Sequence, residues 1–442
     1  MKPIYLFLSL FVMLPLSVDA RENTIRFSVN QAVKAAVADN PYVKEAQEHI
    51  NAAHQAVRRS RADLFATAGL NYTYTGLNDQ PIMKTAQGET PTAHTRQYAW
   101  NLTLTQPLFT GYALSTAVEI SKLGVMDRKI LKETTILDLA RDVKIACYNL
   151  LLSRKMLMVA QSEVDSLTAH WKVADRFYNQ ELIPKNDLLR SEVALADSKQ
   201  TLEARRADVI SAMALLNRLM NADINRTVAV EDVGPVPDVE PDLHSLVESA
   251  LDRRPVIRGL KNSLEQALLS EKLSKSSHYP TVSLQGRYGR NGDDITGRDN
   301  AYTNSESAAV SLRIGWTFFD WGKTTAGVNQ ARFHTRAIRQ KIRGTEAFIR
   351  QQVKDTVLRR DVAKKNIQTA EKSLAQAREN FRITNVQYAQ QVTTSDVVLD
   401  ARTFLTRADS NYYRSVYGYM ASLADLDRAV GNMDPLIELK TK

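Results

Sequence analysis

Laid over itself with an offset of about 210 residues, this chain matches in helical register and in two different kinds of structure. The offset places Phe109 on Phe319, Tyr178 on Tyr388, and the series Leu188, Leu195, Leu202, Val209, Leu216 on Val398, Leu405, Tyr412, Tyr419, Leu426. Each series recurs at every seventh residue, the spacing of a helix seam packed over several turns, and predicts a long coiled-coil segment in each half. Landmarks outside the helices agree. Asn40-Pro41 opens the first half as Arg254-Pro255 opens the second, and Thr105-Gln106-Pro107-Leu108-Phe109-Thr110-Gly111 has its counterpart in Trp316-Thr317-Phe318-Phe319-Asp320-Trp321-Gly322. Such a chain is two copies of one ancestral unit.

The 442 residues include only 17 Gly and 13 Pro and no low-complexity linker, which argues against a string of small modules. The net charge of +9 hints at an anionic partner, but the basic residues are interspersed with 49 acidic ones, so nucleic acid is not expected. Met1 to Ala20 reads as a signal peptide: Lys2, an apolar run from Ile4 to Leu16, then the small-residue site Val18-Asp19-Ala20. The run is shorter than a bilayer span requires. No cysteine stands near the cleavage site to be acylated, and Cys147, the only cysteine, lies in an apolar run that predicts a buried thiol.

Beyond the leader nothing approaches the roughly 18 apolar residues of a transmembrane helix. Four short segments instead alternate apolar with polar residues, the period of a strand with one greasy and one wet face. Leu70, Tyr72 and Tyr74 alternate with Asn71, Thr73 and Thr75; Tyr98, Trp100, Leu102 and Leu104 alternate with Asn101, Thr103 and Thr105. In the second half Val282, Leu284 and Tyr288 alternate with Ser283, Gln285 and Arg287, and Val310, Leu312, Ile314 and Trp316 with Ser311, Arg313 and Thr317. Tyr and Trp near the strand ends and the long polar loops Leu77 to Thr95 and Gly289 to Ser307 favour lipid over a soluble core as the apolar face's neighbour. Four strands cannot close a barrel, and open edges are not tolerated in lipid, so the chain must oligomerise to insert.

Between the strand pairs lie long helical tracts. Ala113 to Asn179 contains no Pro and would extend roughly 100 Å as a helix. It ends at Ile183-Pro184-Lys185-Asn186-Asp187, with Asn or Asp available to cap a returning helix; Lys323 to Gln390, a turn at Gln391 to Asp396 and a second return helix repeat the plan. The expected organisation is a leader over 1–20, a first repeat over 21–222 (strand hairpin about 66–109, helical hairpin about 113–221), and a small irregular connector over 223–242. A second repeat spans 243–431 (strand hairpin about 280–319, helical hairpin about 323–430), and 432–442 form a tail.

These features, in this order, resemble the TolC family of outer-membrane export channels over essentially the whole mature chain; His278-Tyr279-Pro280 ahead of the third strand adds to the likeness. The resemblance implies a mainly α fold with a transmembrane β portion. Three protomers each give four strands to one twelve-stranded barrel in the outer membrane of a Gram-negative envelope, above a periplasmic α-barrel of coiled-coil hairpins. It further implies a passive exit duct for drug or toxin efflux or for type I protein secretion. The partners are then a periplasmic adaptor (membrane fusion) protein, an inner-membrane transporter of the ABC or proton-driven kind, and outer-membrane lipid. The hairpin tips Ile183, Pro184, Asp187 and Val392 become candidate adaptor contacts, and Asn71, Thr73, Asn101, Thr103, Gln285, Arg287 and Arg313 candidate pore-lining residues. In the family, acidic rings and hydrogen-bonded links close the tips. Counted from Tyr388, Asp400 occupies one ring position, Val397 the other with Asp396 just before it, and Thr393 the basic link position; Asp396 also reads as a helix N-cap. A pore-less periplasmic adaptor or scaffold is the alternative, though it leaves the four amphipathic strands unexplained.

No P-loop, nucleophile elbow or Cys-x-x-Cys is present, and the His residues are scattered, so neither an enzyme nor a cofactor or metal site is expected. Gly286, Gly289 and Gly292 read as the end of a strand and the start of a loop.

Overall fold

The computed structural model describes residues 25–232 and 242–432. The leader, most of the tail and the later part of the connector lie outside the described residues. A short strand β1 (Ile25–Phe27) leads into helix α1 (Val29–Asp39), whose capping box joins Ser28 to Gln31 in both directions, at 3.2 and 2.8 Å. Helix α2 (Pro41–Ala62) starts where the first landmark stands: Asn40 Oδ1 accepts from Tyr42 N at 2.9 Å and Pro41 fills the first turn. Strand β2 (Thr67–Gly76), the hairpin β3 (Ile82–Thr85) and β4 (Gly88–Pro91), and strand β5 (Arg96–Phe109) precede the 67-residue helix α3 (Ala113–Asn179) and its return α4 (Lys185–Leu219). After β6 (Val228–Val230) the plan repeats. Helices α5 (Leu243–Arg253) and α6 (Pro255–Lys275), strands β7 (Thr281–Gly292) and β8 (Glu306–Gly315), the 67-residue α7 (Lys323–Ala389) and α8 (Ser395–Val430) follow in turn.

The heptad series forms the inner seams of the helical hairpins. Leu188, Leu195, Leu202 and Leu216 are buried on α4, as are Val398, Leu405, Tyr419 and Leu426 on α8, while Val209 and Tyr412 are half-buried. The main core gathers Val33 and Ala36 of α1, Val143, Cys147 and Leu150 of α3, Leu216 of α4, Val228 of β6 and Tyr417 of α8. Each large apolar side chain taken from water here contributes about 1.5–3 kcal/mol. Arg254, the counterpart of the Asn40 cap, makes no cap. Its buried guanidinium instead donates to Gln352 Oε1 of α7 at 2.8 Å, pinning the second repeat's entry helix onto the long hairpin.

Four expectations need correction. The connector is not wholly irregular: β6 pairs in parallel with β1, Ile25 opposite Val228, because Val228 and Val230 are drawn into the core and their backbone needs a partner. The loop of residues 77–95 carries the β3–β4 hairpin, held in part by Thr85 Oγ1 donating to Gly88 O at 3.0 Å. Neither hairpin tip uses an Asn or Asp cap. Pro184 and Thr394 hold the N-cap positions without side-chain bonds, and Asp187 and Asp396 lie in the first turn, where a carboxylate still complements the helix dipole. The fourth strand stops at Gly315, short of 319. Trp316 Nε1 donates to His278 O at 3.1 Å, turning the chain, and Asp320 gathers the amides of Gly322 and Thr324 to start α7. No helix among the described residues is long and apolar enough to cross a membrane.

Candidate functional site

The four long strands form one antiparallel sheet in the order β2-β5-β7-β8, with β2 and β8 as its edges. The register decides which side chains share a face. Asn71 lies opposite Asn101, Thr103 opposite Arg287, Gln285 between Thr105 and Ser311, and Arg313 opposite Ser283. Thr73, two residues beyond Asn71, shares their face, so all seven candidate pore-lining residues fall on one side of the sheet. The other side carries Leu70, Leu102 and Tyr288 in one row, then Tyr72 and Trp100, and Val310, Leu312 and Ile314 on the edge strand. Val310 is 78% exposed, Leu70 68% and Ile314 65%, a greasy band that only lipid or another apolar surface can cover.

Gly286 and Gly289 lie inside β7, and Gly292 ends it where the loop begins. A Cβ on Gly289 would stand 2.4 Å from Asn101 Oδ1 and 3.1 Å from Trp100 O, so the missing side chain is what lets β5 and β7 approach with Asn101 between them. The loop that follows folds back over the apolar face. Trp100 Nε1 donates to Thr296 O at 3.2 Å and the Tyr72 hydroxyl to Ile295 O at 2.9 Å, while His94 faces Asp293 at 3.4 Å.

Strand becomes helix through two residues in the left-handed region, Gly111 and Tyr112 in the first half, Trp321 and Gly322 in the second. At the first junction the rings of Phe109, Tyr112 and Tyr279 meet edge to face, 5.5–6.5 Å apart. At the second, Phe318, Phe319 and Trp321 remain exposed, Trp321 at 90%.

At the far end of the long hairpins, Ile183 is half-buried and Pro184 and Val392 are exposed at the two turns, with Asp187 in the first turn of α4. The gate candidates separate. Tyr388 is buried, its ring 4.7 Å from that of His170 and 5.7 Å from that of Phe177 on α3. Thr393 is half-buried at the turn, and Val397 and Asp400 are exposed on α8. Asp396 makes an ion pair with Arg190 of α4, tying one helical hairpin to the other and raising the Arg190 pKa.

Two tip residues escaped the sequence reading. His170 Nε2 is bonded to the fully buried Ser395 Oγ at 2.7 Å across the α3–α8 contact; Nδ1 is buried without a partner, and burial pushes the imidazole pKa down to about 4. Arg402, also buried, lies over the Phe381 ring at 5.5 Å and has its pKa lowered by burial. The available signal was a polar residue on a seam position: His170 stands three residues after buried Leu167 and four before buried Ala174. Nearer the middle, Arg141 pairs with Asp425 at 2.6 Å, Arg428 with Asp138 at 2.8 Å and Lys144 with Asp427 at 2.6 Å, locking α3 to α8.

The outer membrane efflux protein family model matches residues 32–222 and 246–432. No curated protein sequence matches significantly. Among solved structures, the chain is similar to the Campylobacter jejuni outer membrane channel CmeC at 15% identity with a TM-score of 0.78, over 93% of this chain and 88% of that one. It is similar to CusC at 15% identity and a TM-score of 0.77, over 92% and 93% of the two chains. The outer membrane protein VceC of Vibrio cholerae matches at 15% identity and a TM-score of 0.74, over 91% and 96%.

Proposed function

Because this chain belongs to the outer membrane efflux protein family, TolC-family channels of the outer membrane with a large periplasmic helical portion, we propose that it forms a passive trimeric exit duct of a tripartite export system. The observation that carries this reading is the sheet. It has a polar face, an apolar face and two unpaired edges, and it is joined to helices about 100 Å long. Unpaired edges cannot face lipid, so β8 of one copy pairs with β2 of the next until the ring closes. Apolar residues then meet lipid, and Asn71, Thr73, Asn101, Thr103 and Gln285 keep the bore wet. The duct supplies a path and no chemistry, so the energy comes from an inner-membrane transporter reached through a periplasmic adaptor at the tips around Ile183, Pro184, Asp187 and Val392. The cargo is small molecules or a protein secreted in one step.

Photoreactive residues at Ile183 and Val392 in living cells test this. Trapping an adaptor together with an ABC transporter assigns protein secretion, and an adaptor with a proton-driven pump assigns efflux of small molecules. Trapping only periplasmic proteins unrelated to transport, with release of the chain by carbonate, would favour a pore-less scaffold and overturn the duct.

A further inference from the structure

The polar face of the sheet carries two charged residues per protomer, Arg287 and Arg313, and no carboxylate. The apolar face handles charge differently: its Arg290 is neutralised by Glu306 on the neighbouring strand at 3.1 Å. Arg287 lies between Thr103 and Ala309, and Arg313 opposite Ser283, both exposed among neutral side chains. Ser283 and Arg287 are four residues apart on β7, about 13 Å along the strand and about 10 Å in height at the tilt of a barrel strand. That is close to the screening length of about 8 Å at physiological salt, so rings at the two levels reinforce each other.

The same sign continues below the barrel. On α7, Arg332, Arg336, Arg339, Arg343, Arg350 and Lys354 recur at helical spacing and form one stripe, in which Glu346 is the sole carboxylate. Arg332 is held by Glu271 of α6 at 3.1 Å, while Arg339 and Arg343 are exposed. Gln352, gripped by Arg254, lies half a turn round the helix from Arg343, while Ile349 and Val353, packed against α5, lie about 100° and about 60° round from Arg350. α5 thus sits beside the stripe and leaves Arg339 and Arg343 exposed.

We propose that this bore selects anions, and that the exported cargo is acidic, carrying carboxylate or phosphate groups. The inference rests on the duct reading. Guanidinium rings on low-dielectric walls concentrate anions and bind their oxygens in pairs, whereas a polycation meets like charge along the path. Asp400, exposed at the opposite end, has the other sign, and this allows the two ends to be tested from opposite sides.

The full chain is reconstituted in planar bilayers under a potassium chloride gradient, with pyrophosphate added on the barrel side. The expected result is chloride preferred over potassium and a current blocked by pyrophosphate. R287Q/R313Q loses the preference and weakens the block at least tenfold, while R287K/R313K keeps the chloride preference. Potassium preference in the native protein, or selectivity and block unchanged in R287Q/R313Q, overturns the inference and leaves the duct standing. Inserted trimers that conduct nothing overturn the duct and this inference with it.

Discussion

Acidification is the perturbation to which the tips are most exposed. His170 sits at the crossing of α3, α7 and α8, bonded to Ser395 and covered by the Tyr388 ring, with burial alone holding its imidazole at about 4. In an opened tip the imidazole returns to its ordinary value of about 6.5. A histidine depressed in the folded state contributes its full stability above the open-state value and loses it as the pH falls towards the folded one. From those two values, closure weakens by about 2 kcal/mol at pH 5 and by about 3 kcal/mol below pH 4. A loss of 2 kcal/mol multiplies the open population roughly 30-fold. Hydrogen–deuterium exchange of peptides spanning 165–180 and 388–400, corrected for intrinsic rates, reads this directly between pH 7.5 and pH 5. H170Q keeps a hydrogen-bonding side chain but cannot titrate, and its tip exchange should be flat across that range. Equal acid sensitivity in H170Q, or none in the native protein, would refute the argument.

Gly111 combines a φ of +63° with a position where a Cβ would stand 2.5 Å from Ser276 O, so G111A should lower stability by at least about 2 kcal/mol, visible as a lower thermal midpoint of the detergent-purified protein. Cys147 is fully buried, which pushes its thiol pKa up to about 12, so it should resist maleimide in the native protein and label fully in denaturant. If Asp400 from each protomer constricts the tips, D400A should raise single-channel conductance and weaken block by hexamminecobalt added on the tip side; no change in either excludes the constriction.

The sequence was most legible where one period governs many residues. Heptads at Leu188 to Leu216 and Val398 to Leu426 marked seams that are buried, and alternation at residues 70–75 and 310–314 sorted the two faces of the sheet, because in both cases a neighbouring surface selects the same positions repeatedly. What escaped depends on single long-range contacts. β1 and β6 are three residues each, and only the meeting of the start of the first repeat with the connector that follows it makes them strands. Gly289 reads as flexibility in sequence but answers the approach of Asn101. Asp396 looked like a cap because nothing local reveals Arg190 on another hairpin. Of the gate candidates, Tyr388 turns into the packing against α3 and Asp400 outward, a division set by the helical phase of α7 and α8 that counting from a motif does not resolve.

For the proposed trimer, the repeat also predicts the seam between protomers. Within one chain β5 joins β7, with Leu102 opposite Tyr288 and Thr103 opposite Arg287. Carrying β5 onto β8 with the offset that lays Phe109 on Phe319, and β7 onto β2 with the one that lays Pro255 on Pro41, turns those pairs into Leu312 opposite Tyr74 and Arg313 opposite Thr73 of the next copy. Opposed residues on antiparallel strands stand about 4.5–5.5 Å apart at Cα, within reach of a disulfide. L312C with Y74C should therefore give oxidised trimers on denaturing gels, undisturbed by buried Cys147. L312C with Y72C, one face-preserving step out of register, should crosslink far less. Equal yields from both pairs would show that the seam between copies does not follow the seam within one, and would remove the strand pairing on which ring closure is argued.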